Sequence, residues 1–467
     1  MKLVYNVKDK PKFGQLLIFA FQQLLAILAA TIAVPAIVGN GMSQSAALFG
    51  AGIGTIVYLL FTKFKSPVFL GSSFAFIGSM FAAFAGGVSA SLGYLGMIMG
   101  AAMAGLIYVI IAIIVKFAGV NWINKLMPAA VIGPTVAIIG LSLSGNAIAN
   151  AFGYSSPALA YDAGASSTVY HITLNSGLNL LCALVTFLVV IISSVFGKKM
   201  AKLIPFIIGI AAGYLVATII TLIGIATENA DIQIVNFSLF NSMKWYPEFT
   251  FVTAFSGNYD FGEIGSMGAY IGTIALAYIP VAFVVFAEHI ADHKNLSSII
   301  EKDLLAEPGL HRTLLGDGVG SMAGALFGGC PNTTYGESVG CVAITGNASV
   351  ITIFCTAILA VIASFFAPFV TLLATIPTSV MGGVCITLYG FIAVSGLKMI
   401  QKVDLEQNRN LFVVSSILIS GVGGMVMTFG EKNIKLTAVA CALILGIIVN
   451  LIGSCKKCKC EEKSEEQ

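Results

Sequence analysis

Long apolar stretches alternate with short polar ones along almost the whole chain. Most are long enough for a helix that crosses a bilayer, which takes about 20 residues. The third and tenth stretches are too short or too interrupted to be full helical spans. About fourteen such segments can be distinguished, with approximate limits 13–38, 43–61, 67–85, 94–115, 127–150, 174–196, 203–226, 264–290, 313–328, 333–346, 349–373, 376–397, 411–429 and 436–454. The pattern predicts an all-α polytopic membrane protein.

The composition leads to the same conclusion. Of 467 residues, 58% are hydrophobic and 10% are charged, whereas a soluble domain carries roughly 25% charge. We therefore expect membrane lipid as the solvent of most of this surface. The net charge of +3 is spread along the chain, so we expect no nucleic-acid partner. The first apolar run, 13–38, is too long for a signal peptide and predicts a retained membrane helix.

The basic residues indicate the orientation. If the N-terminus lies in the cytoplasm, all but three of the 24 Lys and Arg residues fall on the inner side, the exceptions being Lys244, Lys432 and Lys435. This agrees with the excess of Lys and Arg in cytoplasmic loops of membrane proteins. We predict a multi-pass protein of the plasma membrane with both termini in the cytoplasm.

Two motifs recur in the same order in the two halves of the chain. Leu48–Ile56 (LFGAGIGTI) matches Leu314–Met322 (LLGDGVGSM), and Met127–Gly133 matches Ile376–Gly382. Each half then holds seven segments. Because seven is odd, the second half is inverted relative to the first, which is a common plan of secondary transporters.

The two interrupted segments occupy equivalent places in the repeats. Ser66–Phe76 is broken by Pro67 and Gly71, and Gly328–Glu337 contains Pro331. We predict a short extended strand followed by a half-helix in each, because Pro and Gly break helices. Half-helix N-termini offer free N–H groups to a polar ligand. The alternative is a pair of re-entrant loops with only a packing role.

Four acidic residues lie within or beside apolar segments: Glu288, Asp292, Asp317 and Glu337. A charged acid near the bilayer centre costs roughly 2.5–3.5 kcal/mol on insertion scales, so such residues are functional candidates. Glu288 ends the eighth segment. Asp292, four residues later, shares its helix face, whereas His289 and His293 are rotated off that face.

The paired acids suit proton coupling. Two neighbouring carboxyl groups resist ionising together, so one of them can hold a proton and release it on the other side. Asp317, on a glycine-rich helix, is either a relay or a structural buttress. Glu337 follows the second break, beside the half-helix N–H groups. Two carboxyl groups can accept from the ring N–H groups of a pyrimidine while the amides donate to its carbonyls, with Phe74, Phe76 and Tyr335 as candidates for stacking on its faces.

Several motifs resemble those of the nucleobase–ascorbate transporter family, in particular its bacterial members that carry uracil. These motifs are Gly71–Phe76, Ala287–His289, Lys302–Leu305, Pro308–Arg312, Pro331–Glu337 and Leu388–Gly390. The resemblance implies elevator-like carriers, often dimeric, that use a proton or sodium gradient. It also implies a core domain of residues 13–115 and 264–373, a gate domain of residues 127–226 and 376–454, and a cytoplasmic tail, 455–467.

The same resemblance assigns roles to individual residues. Glu288 and Glu337 look like the two base-binding acids, with Phe74, Tyr335 and Gly336 beside the base and Tyr389 as the gate-side contact. The implied function is proton-coupled import of uracil or a related nucleobase, without metal or cofactor. The alternatives are a purine or xanthine carrier on the same scaffold and, less favoured, an inorganic-anion transporter.

This chain departs from the family's pattern at three places. Ser338 stands where the signature has Asn, and Gln22–Gln23 stands where the first segment usually has Gln-His. Four residues after Glu288, carriers of uracil often have His. This chain has Asp292 there, and some purine carriers also have Asp at this position. Glu337 itself favours uracil over xanthine, for which Gln is usual.

The nine cysteines favour no catalytic chemistry, and a metal or acylation site in the C-terminal tail is the less favoured alternative to a purely structural role. Six lie in apolar segments, where a thiol packs as a small hydrophobe. Cys455, Cys458 and Cys460 lie in the polar tail, without the fourth ligand of a zinc set, and we expect a reduced, solvated tail. No nucleophile–base pair stands out in the apolar segments, so we expect no enzyme.

Overall fold

The structure, a computed structural model, describes residues 3–119, 121–154, 161–162, 167–198, 200–429 and 434–454. The predicted tail 455–467, with its three cysteines, lies outside the described residues.

The described part of the chain is mostly helical. Its first half contains α1 (Phe13–Val38), α2 (Gln44–Phe61), α3 (Ile77–Ala83), α4 (Ala90–Ala118), α5 (Asn121–Leu126), α6 (Ala129–Ser142), α7 (Ser144–Ala151), α8 (Leu174–Phe196), α9 (Met200–Leu203) and α10 (Pro205–Ala226). Its second half contains α11 (Thr250–Ala254), α12 (Met267–Ile300), α13 (Leu310–Gly328), α14 (Gly336–Thr345), α15 (Val350–Ser364), α16 (Ala367–Ala374), α17 (Thr378–Ile400), α18 (Asn408–Val422) and α19 (Ala438–Ser454). The strands are β1 (Leu70–Ser72), β2 (Tyr161–Asp162), β3 (Ser167–Thr168), β4 (Asn332–Thr334), β5 (Met427–Phe429) and β6 (Ile434–Leu436).

Many of these helices are suited to cross a membrane. Within the described residues, eight are long and apolar enough: α1, α2, α4, α6 with α7, α8, α10, α12 and α17. A ninth span is possible if α15 and α16, which are bent by 81° at a break, count as one. The prediction of a polytopic helical membrane protein is confirmed, while the number fourteen stays a prediction, because several predicted segments are short or broken.

The eighth apolar segment, predicted at 264–290, is part of a longer helix. α12 runs from Met267 to Ile300, so Asp292 lies on the same helix as Glu288, as expected. Polar residues in its last turns have buried partners, described below, so the helix continues where the apolar run stops.

The matching glycine motifs lie on helices that pack against each other. α2 and α13 cross closely, since a Cβ on Gly54 would lie 2.7 Å from the carbonyl oxygen of Gly320, and a Cβ on Gly320 would lie 2.7 Å from that of Gly54. Small residues of this kind let helix backbones approach in lipid. α6 and α17, which carry the second pair of motifs, also pack together.

Equivalent helices of the two repeats exchange partners. α1 and α2 pack on α15, and their counterparts α12 and α13 pack on α4. Likewise α6 contacts α18, and its counterpart α17 contacts α8. The pair α8 and α10 in the first half corresponds to the pair α18 and α19 in the second half. This reciprocal packing shows that the two halves of the chain repeat the same plan.

The two predicted extended strands are confirmed, and they pair with each other. β1 and β4 are antiparallel, with Leu70 opposite Thr334 and Ser72 opposite Asn332. A single 3-10 turn, Phe74–Phe76, leads from β1 into α3, and α14 follows β4. Non-helical backbone at membrane depth is tolerated where protein buries it, and both strands are fully buried. The hairpins β2–β3 and β5–β6 were not predicted.

Candidate functional site

A cavity of about 80 Å³ lies where the two broken elements meet. It is lined by Phe74, Ala75, Val136, Ile139, Glu288, Thr333, Thr334, Tyr335, Gly336, Glu337 and Ile392. One wall is therefore polar and comes from β4, α12 and the start of α14. The opposite wall is apolar and comes from α6 and α17.

Glu288 reaches this cavity from the middle of α12. Its neighbours Ala287 and His289 are buried at 5% and 0% exposure, while Glu288 itself has accessible surface. That surface faces the cavity, because Glu288 is one of the residues that line it.

Glu337 lies in the first turn of α14, where no side chain caps the helix. The first N–H groups of a helix lack acceptors within it, so those of the first turn are available beside the cavity. The positive end of the half-helix also favours a negative partner there. The arrangement offers acceptors from two carboxyl groups and donors from backbone amides on one wall.

Asp292 lies one turn beyond Glu288 and does not line the cavity. Thr334 donates a hydrogen bond to its Oδ2 at 2.9 Å, and its Oδ1 would be 3.9 Å from a Cβ on Gly336. Asp292 thus packs against the junction of β4 and α14, next to the site.

Asp317 lies behind α12, away from the cavity. Its Oδ2 is 2.7 Å from His289 Nδ1, and His289 Nε2 is 2.9 Å from Thr313 Oγ1. Both ionisable side chains are buried, with at most 1% exposure. These contacts have the geometry of a buttress that joins α12 to α13.

His293 extends this buried polar network, which the sequence did not predict. Its Nε2 lies 2.7 Å from Tyr58 Oη, and Tyr58 contacts Ser66 Oγ at 2.7 Å. The imidazoles of His289 and His293 stack with centroids 4.0 Å apart. These contacts agree with the prediction that both histidines are rotated off the face of α12 that carries Glu288 and Asp292. The partners of the histidines lie on other helices, so the pattern of α12 alone could not predict them.

The aromatic candidates occupy different positions. Phe74 lines the cavity, whereas Phe76 stacks on Tyr278 at 5.5 Å. The Tyr335 phenol donates to the Ser72 carbonyl at 2.7 Å. Tyr389 is not among the lining residues and packs edge-on against Phe74, at 6.2 Å between centroids.

Sequence reasoning missed the apolar wall of Val136, Ile139 and Ile392. Nothing in the local pattern distinguishes these side chains from the other Ile and Val residues of the apolar segments. Only the packing of α6 and α17 opposite α14 reveals them.

A second, larger cavity of about 340 Å³ adjoins the first and shares Phe74, Ala75 and Ile139 with it. It extends along α3 towards Asn146 and towards Thr437, beside hairpin β5–β6. On the predicted topology, this larger cavity is on the outer side of the site.

The chain is similar to known permeases over nearly its whole length. Residues 14–430 match the model of a permease family, that of the xanthine and uracil permeases. The uracil permease of Bacillus caldolyticus is 38% identical over 97% of this chain and 95% of its own length. The chain belongs to the nucleobase–ascorbate transporter family.

Other members of this family show the same relationship. The uracil permease of Bacillus subtilis is 38% identical over 97% of this chain and 95% of its own length, and that of Escherichia coli K12 is 32% identical over 96% and 93%. The resemblance drawn from the motifs is thus confirmed, and the protein is a membrane transporter.

Solved structures of other transporters share the fold. The transmembrane domain of a cyanobacterial bicarbonate transporter, BicA, matches with a TM-score of 0.64 at 17% identity, over 96% of this chain and all of that one. SLC26A9 matches with a TM-score of 0.68 at 12% identity, over 95% of this chain and 66% of that one.

Proposed function

We propose that this transporter imports uracil, or a close pyrimidine relative, together with a proton. The observation that carries the proposal is the convergence of Glu288, Glu337 and the free amides of α14 on one small cavity. Relatives at 32–38% identity that are named uracil permeases support the same substrate.

The polar wall matches one edge of a pyrimidine. Uracil presents N–H groups alternating with carbonyl oxygens. Glu288 and Glu337 accept from the N–H groups, and the amides of Gly336 and its neighbours donate to the carbonyls. The ring of Phe74 and the backbone at Tyr335 flank the base, while Tyr389 acts from the gate side through Phe74.

Glu288 is the proposed proton-coupling group, because it both faces the cavity and precedes Asp292 by one helical turn. Asp292 is the nearest further acid for relaying that proton, and Asp317, which is bonded to His289, is either a second relay or a buttress of α12. A membrane potential of 100 mV supplies roughly 2.3 kcal/mol for each charge moved, which is enough to drive accumulation of a neutral base.

The proposed movement is elevator-like. The core domain (13–115 and 264–373) carries the polar wall, and the gate domain (127–226 and 376–454) carries the apolar wall. Helices within each group pack mainly with one another, and an apolar wall lets the core domain slide without breaking hydrogen bonds. We place the protein in the plasma membrane, with both termini in the cytoplasm and a homodimer as its expected assembly.

The test is uptake of labelled uracil into proteoliposomes that contain the purified protein. We expect accumulation under an inward proton gradient, and its loss when a protonophore is added. Glu288→Gln should abolish accumulation, and Glu337→Gln should abolish or weaken uracil binding. Glu263→Gln, an exposed acid outside the cavity, is the matched control.

The result also decides between substrates. Uracil uptake that xanthine or hypoxanthine blocks at lower concentration than uracil itself would assign the site to purines. Wild-type affinity for uracil in Glu337→Gln would remove Glu337 from the site. Absence of any accumulation by folded, inserted protein would overturn the proposal.

A further inference from the structure

A third cavity, of about 10 Å³, lies behind β4 and is separate from the candidate site. Its walls come mainly from α4, α12, α13 and β4, and Thr333 of β4 also lines the candidate site. Most of the lining side chains are buried, with at most 6% exposure for Ala104, Tyr108, Val285, Asp317 and Ser321. A volume of about 10–15 Å³ is what a single water molecule needs.

Two buried polar atoms on residues that line this cavity have no hydrogen-bond partner within the described part of the chain. They are Tyr108 Oη, on α4, and Asp317 Oδ1, on α13. The other carboxyl oxygen of Asp317 is bonded to His289, so Oδ1 is left over. The two side chains are neighbours, because a Cβ on Gly318 would lie 2.7 Å from the Cβ of Tyr108. Buried polar groups are nearly always hydrogen-bonded, so these two atoms need a partner.

A water molecule matches the donors and acceptors that line this cavity. The phenol of Tyr108 can donate to the water oxygen, and the water can donate to Asp317 Oδ1. Ser321 lies four residues after Asp317 on α13, hence on the same helix face, and it lines the cavity as well. A serine hydroxyl both donates and accepts, so it supplies a third bond. Three bonds are typical of a buried water, whereas purely apolar cavities stay dry.

We propose that this cavity binds one water molecule, which bridges Tyr108, Asp317 and Ser321. A bridging water joins polar groups that are too far apart for a direct hydrogen bond. It extends the contact between His289 and Asp317, which joins α12 to α13, as far as α4. Three helices of the proposed core domain are thereby linked by hydrogen bonds directly behind β4. The inference goes beyond the proposed function and does not depend on the substrate.

The sign of one substitution shows whether the Tyr108 hydroxyl has a partner. A buried hydroxyl without a partner destabilises the folded protein, so its removal is neutral or stabilising. If a water accepts from this hydroxyl, the change to Phe breaks a hydrogen bond and leaves both the water and the Asp317 carboxyl group less well satisfied. The same substitution therefore has opposite effects on stability with and without the water.

The first test is thermal unfolding of the purified full chain, with Tyr108→Phe and a matched control. Tyr278 is also buried, and its hydroxyl also lacks a partner among the described residues, but it does not line this cavity. We expect Tyr108→Phe to lower the melting temperature by about 2 °C or more, and Tyr278→Phe to leave it unchanged or raise it. A Tyr108→Phe variant as stable as the wild type overturns the proposal, as do equal losses in the two variants.

The second test is a double-mutant cycle between Tyr108 and Ser321, whose hydroxyl groups make no direct hydrogen bond with each other. Tyr108→Phe and Ser321→Ala each remove one bond to the water. Once one bond is lost the water is held less firmly, so the melting temperature of the double variant should fall by clearly less than the sum of the two single losses. Independent sites give losses that add, and additive losses would contradict a shared water.

The third test observes the site directly and separates a water from a cation. An experimental structure at about 2 Å resolution should show one peak within about 2.5–3.2 Å of both Tyr108 Oη and Asp317 Oδ1, and the melting temperature should be the same in sodium chloride and in choline chloride at equal ionic strength. Absence of the peak, or a direct bond between Tyr108 and Asp317, overturns the proposal. Stabilisation by sodium that Tyr108→Phe abolishes would also overturn it and assign the site to a cation. None of these measurements uses uracil, so a failure of the proposed function would not affect their outcome.

Discussion

The four intramembrane acids share a chemistry but not an environment. Glu288 and Glu337 face the cavity, Asp292 accepts from Thr334 beside it, and Asp317 is bonded to a buried imidazole. The positions of these four acids along the sequence do not reveal which of them face the cavity and which are bonded to other side chains. The contacts of each carboxyl group therefore give each acid a different expected phenotype.

Asp317→Leu should act on stability rather than on substrate affinity. It leaves His289 Nδ1 buried without a partner, and an unsatisfied buried polar group costs about 1–3 kcal/mol. We expect a lower melting temperature in detergent and a uracil dissociation constant within about threefold of the wild type. Coupled uptake lost at unchanged stability would instead make Asp317 a relay.

Ile392 should set the size of the base that is accepted. It lies on the apolar wall opposite the acids, so it limits the cavity without contributing hydrogen bonds. Ile392→Ala should let xanthine compete for uracil uptake, and Ile392→Phe should weaken uracil binding by about tenfold or more. Competition profiles identical to the wild type in both variants would show that another residue sets the limit.

At the scale of elements, the close crossing of α2 and α13 holds the strands in place. Gly54→Ala should destabilise the protein, since its Cβ would lie 2.7 Å from the Gly320 carbonyl oxygen, and overpacking typically costs about 1–3 kcal/mol. Gly268→Ala, with open space around its Cβ position, is the control. The measurement is thermal unfolding, and equal midpoints for the two variants would contradict the expected role of this crossing.

Some elements could be predicted from sequence, and others could not. The strands β1 and β4 follow from Pro and Gly in apolar surroundings, which is a local signal. The full length of α12 could not be predicted from hydropathy, which falls after Glu288. The helix continues to Ile300, and partners such as Tyr58 for His293 satisfy its buried polar side chains. The wall formed by Ile139 and Ile392 depends on which helices face each other, which no local pattern encodes.

At the scale of the whole molecule, reciprocal helix packing shows a repeated architecture, and the distribution of basic residues predicts that the second repeat is inverted. The repeat was visible in sequence because glycine at close crossings leaves a spaced motif. The orientation of the whole molecule in the membrane rests on charge, and it can be measured directly.

The predicted topology puts the loop around Ser256 outside and the loop around Gln407 inside; both residues are exposed. In a background whose native cysteines have been replaced, Ser256→Cys should react with a membrane-impermeant maleimide in intact cells. Gln407→Cys should react only after the cells are permeabilised. The reverse pattern would invert the assigned orientation.

The pairing of β1 with β4 also constrains the order in which the protein can fold during its synthesis. β1 leaves the ribosome early, but the strand that satisfies its backbone is made only after most of the chain has been translated. Until β4 is present, the unpaired backbone N–H and C=O groups of β1 are too costly to expose to the hydrocarbon of the bilayer. We therefore expect the β1 segment to stay hydrated or bound by a chaperone until β4 is made. The binding cavity forms only when the second half of the chain is inserted.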